Sequence, residues 1–392
     1  MFRQTIRVLL TFNLLAVLLA ACSPSATPDP TLDPNVIQTQ AFATVNAANT
    51  ATAQASIPTS TPLPTATATY SGPPPTLPPV FQTDGLQPGA TPHTYISDAC
   101  QYLKAKWDPN NAAPGTVVMI IMFHTIEKGT QTSTNPMYIG GGDFKKLMTN
   151  LHDMGFTAIN TQQLSDFLYN NAKIPQRSVM LIQDDRHAAA NFNDWFRPYW
   201  EKWGWPVVNA WISVDGGNDV NLADNVALEK EGWVDHQAHG VIHNIPMSDT
   251  STDDYIRGEL QGSIDVFQKY YGKTPIAIIW PGGGFGVRPV QMARQLGYKL
   301  GFTINPRGPV MFNWVPQADQ PTGQYDIAEG PVGDPLMTLP RYWDTDALTK
   351  LDTIRSIGNA AAAYAQQNKA TELEYYDVVC APKLGPIPTA AP

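Results

Sequence analysis

The stretch Ser178-Val179-Met180-Leu181-Ile182-Gln183-Asp184-Asp185 constrains this chain more than any other. It opens as a short apolar run of the kind that forms a strand covered on both faces, and it ends abruptly in two adjacent carboxylates. Acids at the end of a buried strand are costly unless they are paired. Neighbouring side chains on a regular strand point to opposite faces, so both acids can serve one site only if the chain leaves strand geometry there. In open and closed α/β sheets, the carboxyl ends of the strands are also where ligands bind. Downstream, His239-Gly240-Val241-Ile242-His243 sets two imidazoles four positions apart, a spacing that brings both to one face of a helical turn. Asp plus two His is a common ligand set for zinc or a similar divalent ion, with a position left open, and the other Asp is then free as a base. The alternative is that the acids cap a turn and the His are ordinary surface or core residues. In a chain with only 7 His, the two halves together favour a metal site.

At the start of the chain, Arg3 and Arg7 precede an apolar stretch from Val8 to Leu19, then Ala20-Ala21-Cys22. A basic start, a short apolar region and small residues before a cut make a secretory signal over residues 1–22, too short to span a bilayer. Leu19-Ala20-Ala21-Cys22 resembles a bacterial lipoprotein signal. That resemblance implies a lipid on Cys22, a membrane partner through that anchor and an extracytoplasmic location. Pro, Thr, Ala and Ser then dominate, with almost no charge, and residues 23–97 are predicted to be a disordered tether. Its Pro-rich pieces favour extended geometry that holds the following domain away from a membrane.

One large domain follows, residues 98–382, with a short tail at 383–392. Of the 3 Cys, Cys100 and Cys380 lie at the domain's two ends. In an exported protein such a pair suggests a disulfide, the alternative being two separate thiols. A formal net charge of -9 without a basic run argues against nucleic acid as a partner. Nothing in the sequence sets an oligomeric state.

Within the domain, helical and strand patterns alternate. Strands are predicted at Thr116–Phe123, Thr157–Asn160, Ser178–Gln183, Val207–Val214, Ile276–Trp280, Leu300–Thr303 and Leu336–Leu339. Helices are predicted from an Asp143 cap to Met154, over Thr161–Tyr169, around Asn193–Trp203 with a break at Pro198, from Asp253 or Asp254, over Pro289–Leu296 and from Asp346 to Asn368. Repeated strand–helix units imply a parallel sheet, and so many of them suggest a distorted (β/α) barrel in the α/β class.

The order of segments resembles the polysaccharide deacetylase family, carbohydrate esterases of the fourth class. Met119-Ile120-Ile121-Met122-Phe123-His124 is similar to its apolar strand ending in Tyr-His. Ile182-Gln183-Asp184-Asp185 matches its Asp-Asp motif at the acids, and His239 and His243 match its His-x-x-x-His motif. Trp280-Pro281-Gly282-Gly283 with Leu296-Gly297-Tyr298 is similar to its Tyr-Pro-x-Gly and Gly-Tyr segments. The resemblance implies a hydrolase that removes N-acetyl groups from an N-acetylated polysaccharide. It makes Asp184 the catalytic base and Asp185, His239 and His243 the ligands of a divalent metal: zinc, with cobalt and nickel as alternatives. No His follows His243, and in the branch acting on poly-N-acetylglucosamine the general acid corresponds to His124. Trp280, Pro281 and Gly282 fall on the substrate wall.

The chain departs from the family pattern at several places. Arg186 stands where the family has Gly, Gly240 where it has Ser or Thr, and Ala277 where an arginine commonly braces the base. Arg341 and Arg186 are the candidate replacements for that brace. These departures also leave open a glycan-binding surface lipoprotein of the same fold that turns nothing over. His187 reads as a polar contact or a plain loop residue; His93, His152 and His236 receive no role. Trp205, Trp211, Trp280, Trp314 and Trp343 are candidate core residues or sugar-stacking platforms.

Overall fold

The computed structural model describes residues 72–129, 135, 137–214, 220–243, 245–322 and 327–389. The signal segment, Cys22 and the tether up to residue 71 lie outside the described residues. In chain order the elements are β1 (Ala90–His93), α1 (Ala99–Trp107), β2 (Val117–Phe123), β3 (Thr125–Glu127), β4 (Tyr138–Gly140), α2 (Gly141–Asp153), β5 (Thr157–Ala158) and α3 (Thr161–Asn170). They continue with β6 (Arg177–Gln183), α4 (Ala189–Trp195), α5 (Arg197–Trp203), β7 (Val207–Trp211), α6 (Val220–Glu231), β8 (Val234–Ala238), α7 (Asp253–Val266), β9 (Ala277–Ile279) and α8 (Val287–Gln295). The last are β10 (Leu300–Phe302), β11 (Val315–Ala318), β12 (Tyr342–Trp343), α9 (Asp344–Tyr375) and α10 (Ala381–Leu384).

The main sheet runs β10-β9-β8-β7-β6-β2-β12, with β5 paired to β6, and all its pairings are parallel. Its two ends are tied by one segment. Leu339 N–H donates to Gly301 O and Thr303 N–H donates to Leu339 O, while Tyr342 and Trp343 pair with Ile121 and Met122. The sheet therefore curls into a distorted (β/α) barrel, as the sequence pattern led one to expect. Gly301 is needed at this seam, because a Cβ there would meet Met337 O at 2.2 Å.

Both faces of the strands are covered, which explains their uninterrupted apolar runs. Val117, Met119 and Ile121 face outward onto Phe144 and Leu147 of α2 and Leu351 and Ile354 of α9. Val118, Ile120, Met180 and Ile182 fill the interior with Ala277, Ile279 and Phe302. In β6 the polar side chains are left to the strand ends, where the chain is free to turn, whereas β7 and β8 carry Asn209, Asp235, His236 and Gln237 within them.

The structure revises several expectations. The folded part begins before residue 98: β1 pairs antiparallel with β11, Trp314 Nε1–H donates to Phe81 O, and Tyr364 Oη–H donates to Pro79 O. Apolar residues near the end of a Pro-rich stretch are enough to seat it. At the other end, Ile387 packs with Leu103 and Tyr376, within what was read as tail. Asp143 lies in the first turn of α2, which starts at Gly141, and α7 is capped by Thr252, whose hydroxyl accepts from Tyr255 N–H. Either acid favours the positive end of a helix dipole without being the cap. The strand predicted at Leu336–Leu339 is a short 3-10 turn at Pro335–Met337, and the last strand is β12. Cys100 and Cys380 are joined as a disulfide, with Cα atoms 5.2 Å apart.

Candidate metal centre and active site

The site forms where β2, β6 and β8 end. Asp184 directly follows β6, and its N–H donates to Phe123 O at 2.7 Å, so the first acid is still held by the sheet. Asp185 then takes a φ of 72°, in the left-handed region that Asp tolerates better than most residues. This is the departure from strand geometry that two adjacent acids require if they are to share a site. Gln183 anchors the turn, its Nε2 donating to Phe123 O and His124 O and lying 2.8 Å from His187 Nε2. His187 is thus a polar contact of this loop.

Asp184 is buried, and Arg341 Nη1 donates to its Oδ1 at 2.6 Å. The other oxygen, Oδ2, lies 3.6 Å from His124 Nε2. Burial pushes the Asp184 carboxyl up, but Arg341, His124 and His239 together hold it below the usual carboxylate range. Arg341 reaches the acid because it sits in the barrel seam, where its Nε also donates to Thr303 O. Arg186 does not serve here: its Nη1 donates to Val214 O and its guanidinium lies over the Trp211 ring. Of the two candidate braces, the seam arginine is the one on Asp184.

Asp185, His239 and His243 converge. Asp185 Oδ1 is 3.7 Å from each imidazole Nε2, and the three donor atoms lie within 4.8 Å of one another. Ligand atoms around tetrahedral zinc stand roughly 3.3 Å apart, so Asp185 is within a few tenths of an ångström of the spacing to each imidazole, and side-chain adjustments of about an ångström bring all three donors onto one ion. His239 Nδ1–H donates to Ile279 O at 2.8 Å, which leaves Nε2 with its lone pair towards the site. Burial, with His243 adding to it and Asp184 opposing it, lowers the His239 pKa to about 4, so the ring is neutral, as a ligand must be. The residues present fit a divalent cation. The spacing argument for a helical turn fails, however: His239 follows β8, and the rings meet through a loop in which Gly240 has φ 73° and His243 φ 65°.

His124 stacks on Trp343 with ring centroids 5.3 Å apart and planes 19° from parallel. Trp343 was a core-or-platform candidate, and its position against the His is what sequence could not supply. Trp280 is fully buried, with its indole N–H donating to Met337 O, and is core rather than a sugar platform. Pro281 is buried too, while Gly282 is exposed. Trp205, Trp211 and Trp314 are buried. His236 is held by Glu229 and Asn225, His93 faces Asp319, and His152 stacks on Trp203, all outside this cluster. Sequence reading missed Glu259, a buried acid on α7 that accepts hydrogen bonds from the His239–His243 loop. Its signal was legible: an acid on the same helical face as Ile256 and Leu260.

The barrel thus brings an acid pair and two His together at its strand ends, a donor set that suits a divalent ion. Residues 176–301, about a third of the chain, match the family model described as polysaccharide deacetylase. Among solved structures, the Streptococcus pyogenes deacetylase PplD in complex with acetate is 20% identical, over 61% of this chain and 98% of that one, with a TM-score of 0.48. A de-N-acetylase from Aggregatibacter actinomycetemcomitans is 17% identical over 62% and 99% of the two chains, with a TM-score of 0.47. IcaB from Ammonifex degensii is 13% identical over 62% and 97%, with a TM-score of 0.45. No curated protein matches the chain.

Proposed function

We propose that the protein is a zinc-type N-deacetylase of an N-acetylglucosamine polymer, anchored outside the cytoplasm through Cys22. The observation that carries this reading is the pairing of an arginine-held Asp184 with the adjoining Asp185–His239–His243 cluster. Asp185, His239 and His243 would hold the ion, which when bound supplies Lewis acidity towards the acetamide and towards water.

Asp184 stays ionised because Arg341 opposes its burial, and it accepts the proton of the attacking water. Oδ1 is occupied by Arg341, so Oδ2 is the oxygen that takes that proton. As the water oxygen bonds to the acetyl carbon, the C–N bond breaks and acetate and a free amine result. His124 Nε2, facing the same Asp184 oxygen, delivers a proton to the departing nitrogen. Trp343 limits rotation of that imidazole from one side. Backbone N–H groups at 283 and 284 already donate to Trp280 O and Pro281 O, so the developing oxyanion does not rest on them.

The test is acetate release by the metal-loaded chain from poly-N-acetylglucosamine, peptidoglycan and an O-acetylated xylan. Release from N-acetylated polymers, abolished by Asp184→Asn, is the expected result. Release from the ester substrate alone would make the protein an O-deacetylase. Polymer binding without acetate release from any substrate would favour the glycan-binding alternative.

A further inference from the structure

We infer that Glu259 is a positioning residue for the imidazole pair, an inference that rests on the metal-dependent reading above. Glu259 lies on the buried face of α7, between Ile256 and Leu260, and is 1% exposed. A carboxylate so placed is costly unless its oxygens are occupied. Here they are: Val241 N–H donates to Oε2 at 2.8 Å, Ile242 N–H is shared between Oε1 at 3.0 Å and Oε2 at 3.2 Å, and His243 N–H lies 3.4 Å from Oε2. Three consecutive backbone donors on one acid clamp the loop that joins the two His.

The two imidazoles differ in what fixes them. His239 is the residue after β8; its N–H donates to Trp211 O and its ring to Ile279 O. His243 lies in no strand or helix and sits at a left-handed φ, so its position depends on the loop, and the loop's N–H groups depend on Glu259. Gly240 completes the device. A Cβ at 240 would lie 2.4 Å from Glu259 Oε2 and 2.8 Å from Pro281 Cγ, so the Ser or Thr of the family motif would push the carboxylate out. Glu259 touches no reacting atom; it sets where His243 Nε2 stands relative to His239 and Asp185.

The experiment uses the full chain, Co2+ alone as probe, and its visible d–d absorption as the reporter of ligand geometry. Glu259→Gln keeps the shape but puts an amide N–H2 against backbone donors; Gly240→Ala keeps the charge but displaces the carboxylate. Each is expected to weaken Co2+ binding by about 10–100-fold and to alter the d–d bands. Glu372→Gln is the control, since that buried acid accepts from Lys106 and Trp107 rather than from the His239–His243 loop. It should lower the thermal midpoint with Co2+ affinity and bands unchanged. Wild-type affinity and bands in both Glu259→Gln and Gly240→Ala would overturn the inference and leave the metal centre standing. No Co2+ binding by the wild type would overturn both. If Glu259→Gln does not fold, Glu259→Asp, which keeps the charge but withdraws the carboxylate from the loop N–H groups, takes its place.

Discussion

Arg341 holds Asp184 in the ionised form that the proposed mechanism requires of it. A buried carboxyl left to itself is pushed up, and a protonated Asp184 accepts nothing. With its pKa held down by Arg341, His124 and His239, the acid remains ionised as pH falls and is lost as a base only below the ordinary carboxylate range. Removing the guanidinium reverses the balance. Arg341→Met should therefore lower kcat/KM at neutral pH by about 100-fold or more and move the acid limb of its pH profile upward by more than about one unit. An unmoved limb would remove Arg341 from this role. His124→Gln should cost about 100- to 1000-fold on an acetamide and far less on an aryl acetate, whose leaving group needs no proton. Equal losses on both substrates would argue against a general acid. The two acids and two His were legible in sequence because the chemistry demands those residue types at close spacing. The arginine was one of two candidates, since it reaches Asp184 from 157 positions away and only the barrel seam brings it there.

Among the elements, α9 carries an unused acid at its first position. Asp344 is buried, and burial raises its pKa to about 7, opposed by the Thr345 N–H it accepts. The folded chain therefore holds a proton there that the unfolded chain has released, across the window from about pH 4 to 7. Stability from this group falls as pH rises through that window and the loss is complete above it. Asp344→Asn should match the wild type near pH 4.5 and be more stable at pH 8 by on the order of 2–4 kcal/mol, read from urea midpoints at the two pH values. A gain of equal size at both would mean that the carboxyl does not titrate in this way. At this scale sequence reading found the elements with strong periods and missed those without. β12 has two residues, and β8 with its Asp, His and Gln shows no apolar run, so neither announces itself. The His239–His243 loop was taken for a helical turn because spacing cannot report the left-handed backbone at Gly240 and His243.

On the scale of the whole domain, the two ends of the fold are tied together far from the chemistry. α9 starts beside Trp343 at the site and runs 32 residues to the turn bearing Cys380, roughly 48 Å at helical rise. A disulfide closing 280 residues there restrains the unfolded chain, and replacing Cys100 and Cys380 by Ser should cost about 2–5 kcal/mol while leaving metal content unchanged. Thermal unfolding and metal analysis on the same sample check both halves. Lost metal would mean that the disulfide end communicates with the site. The barrel itself was readable from alternating elements, but its N-terminal limit was not, because composition alone could not show that Phe81 and β1 seat on Trp314 and β11. None of the described helices is long and apolar enough to cross a membrane. The most direct test of the account is the metal content of the wild-type chain after zinc loading and exhaustive dialysis, beside His239→Ala and Asp185→Ala. One equivalent of zinc in the wild type, lost from both variants, is the expected result; a wild type without bound zinc, or variants that keep it, would contradict a metal centre at the ends of β6 and β8.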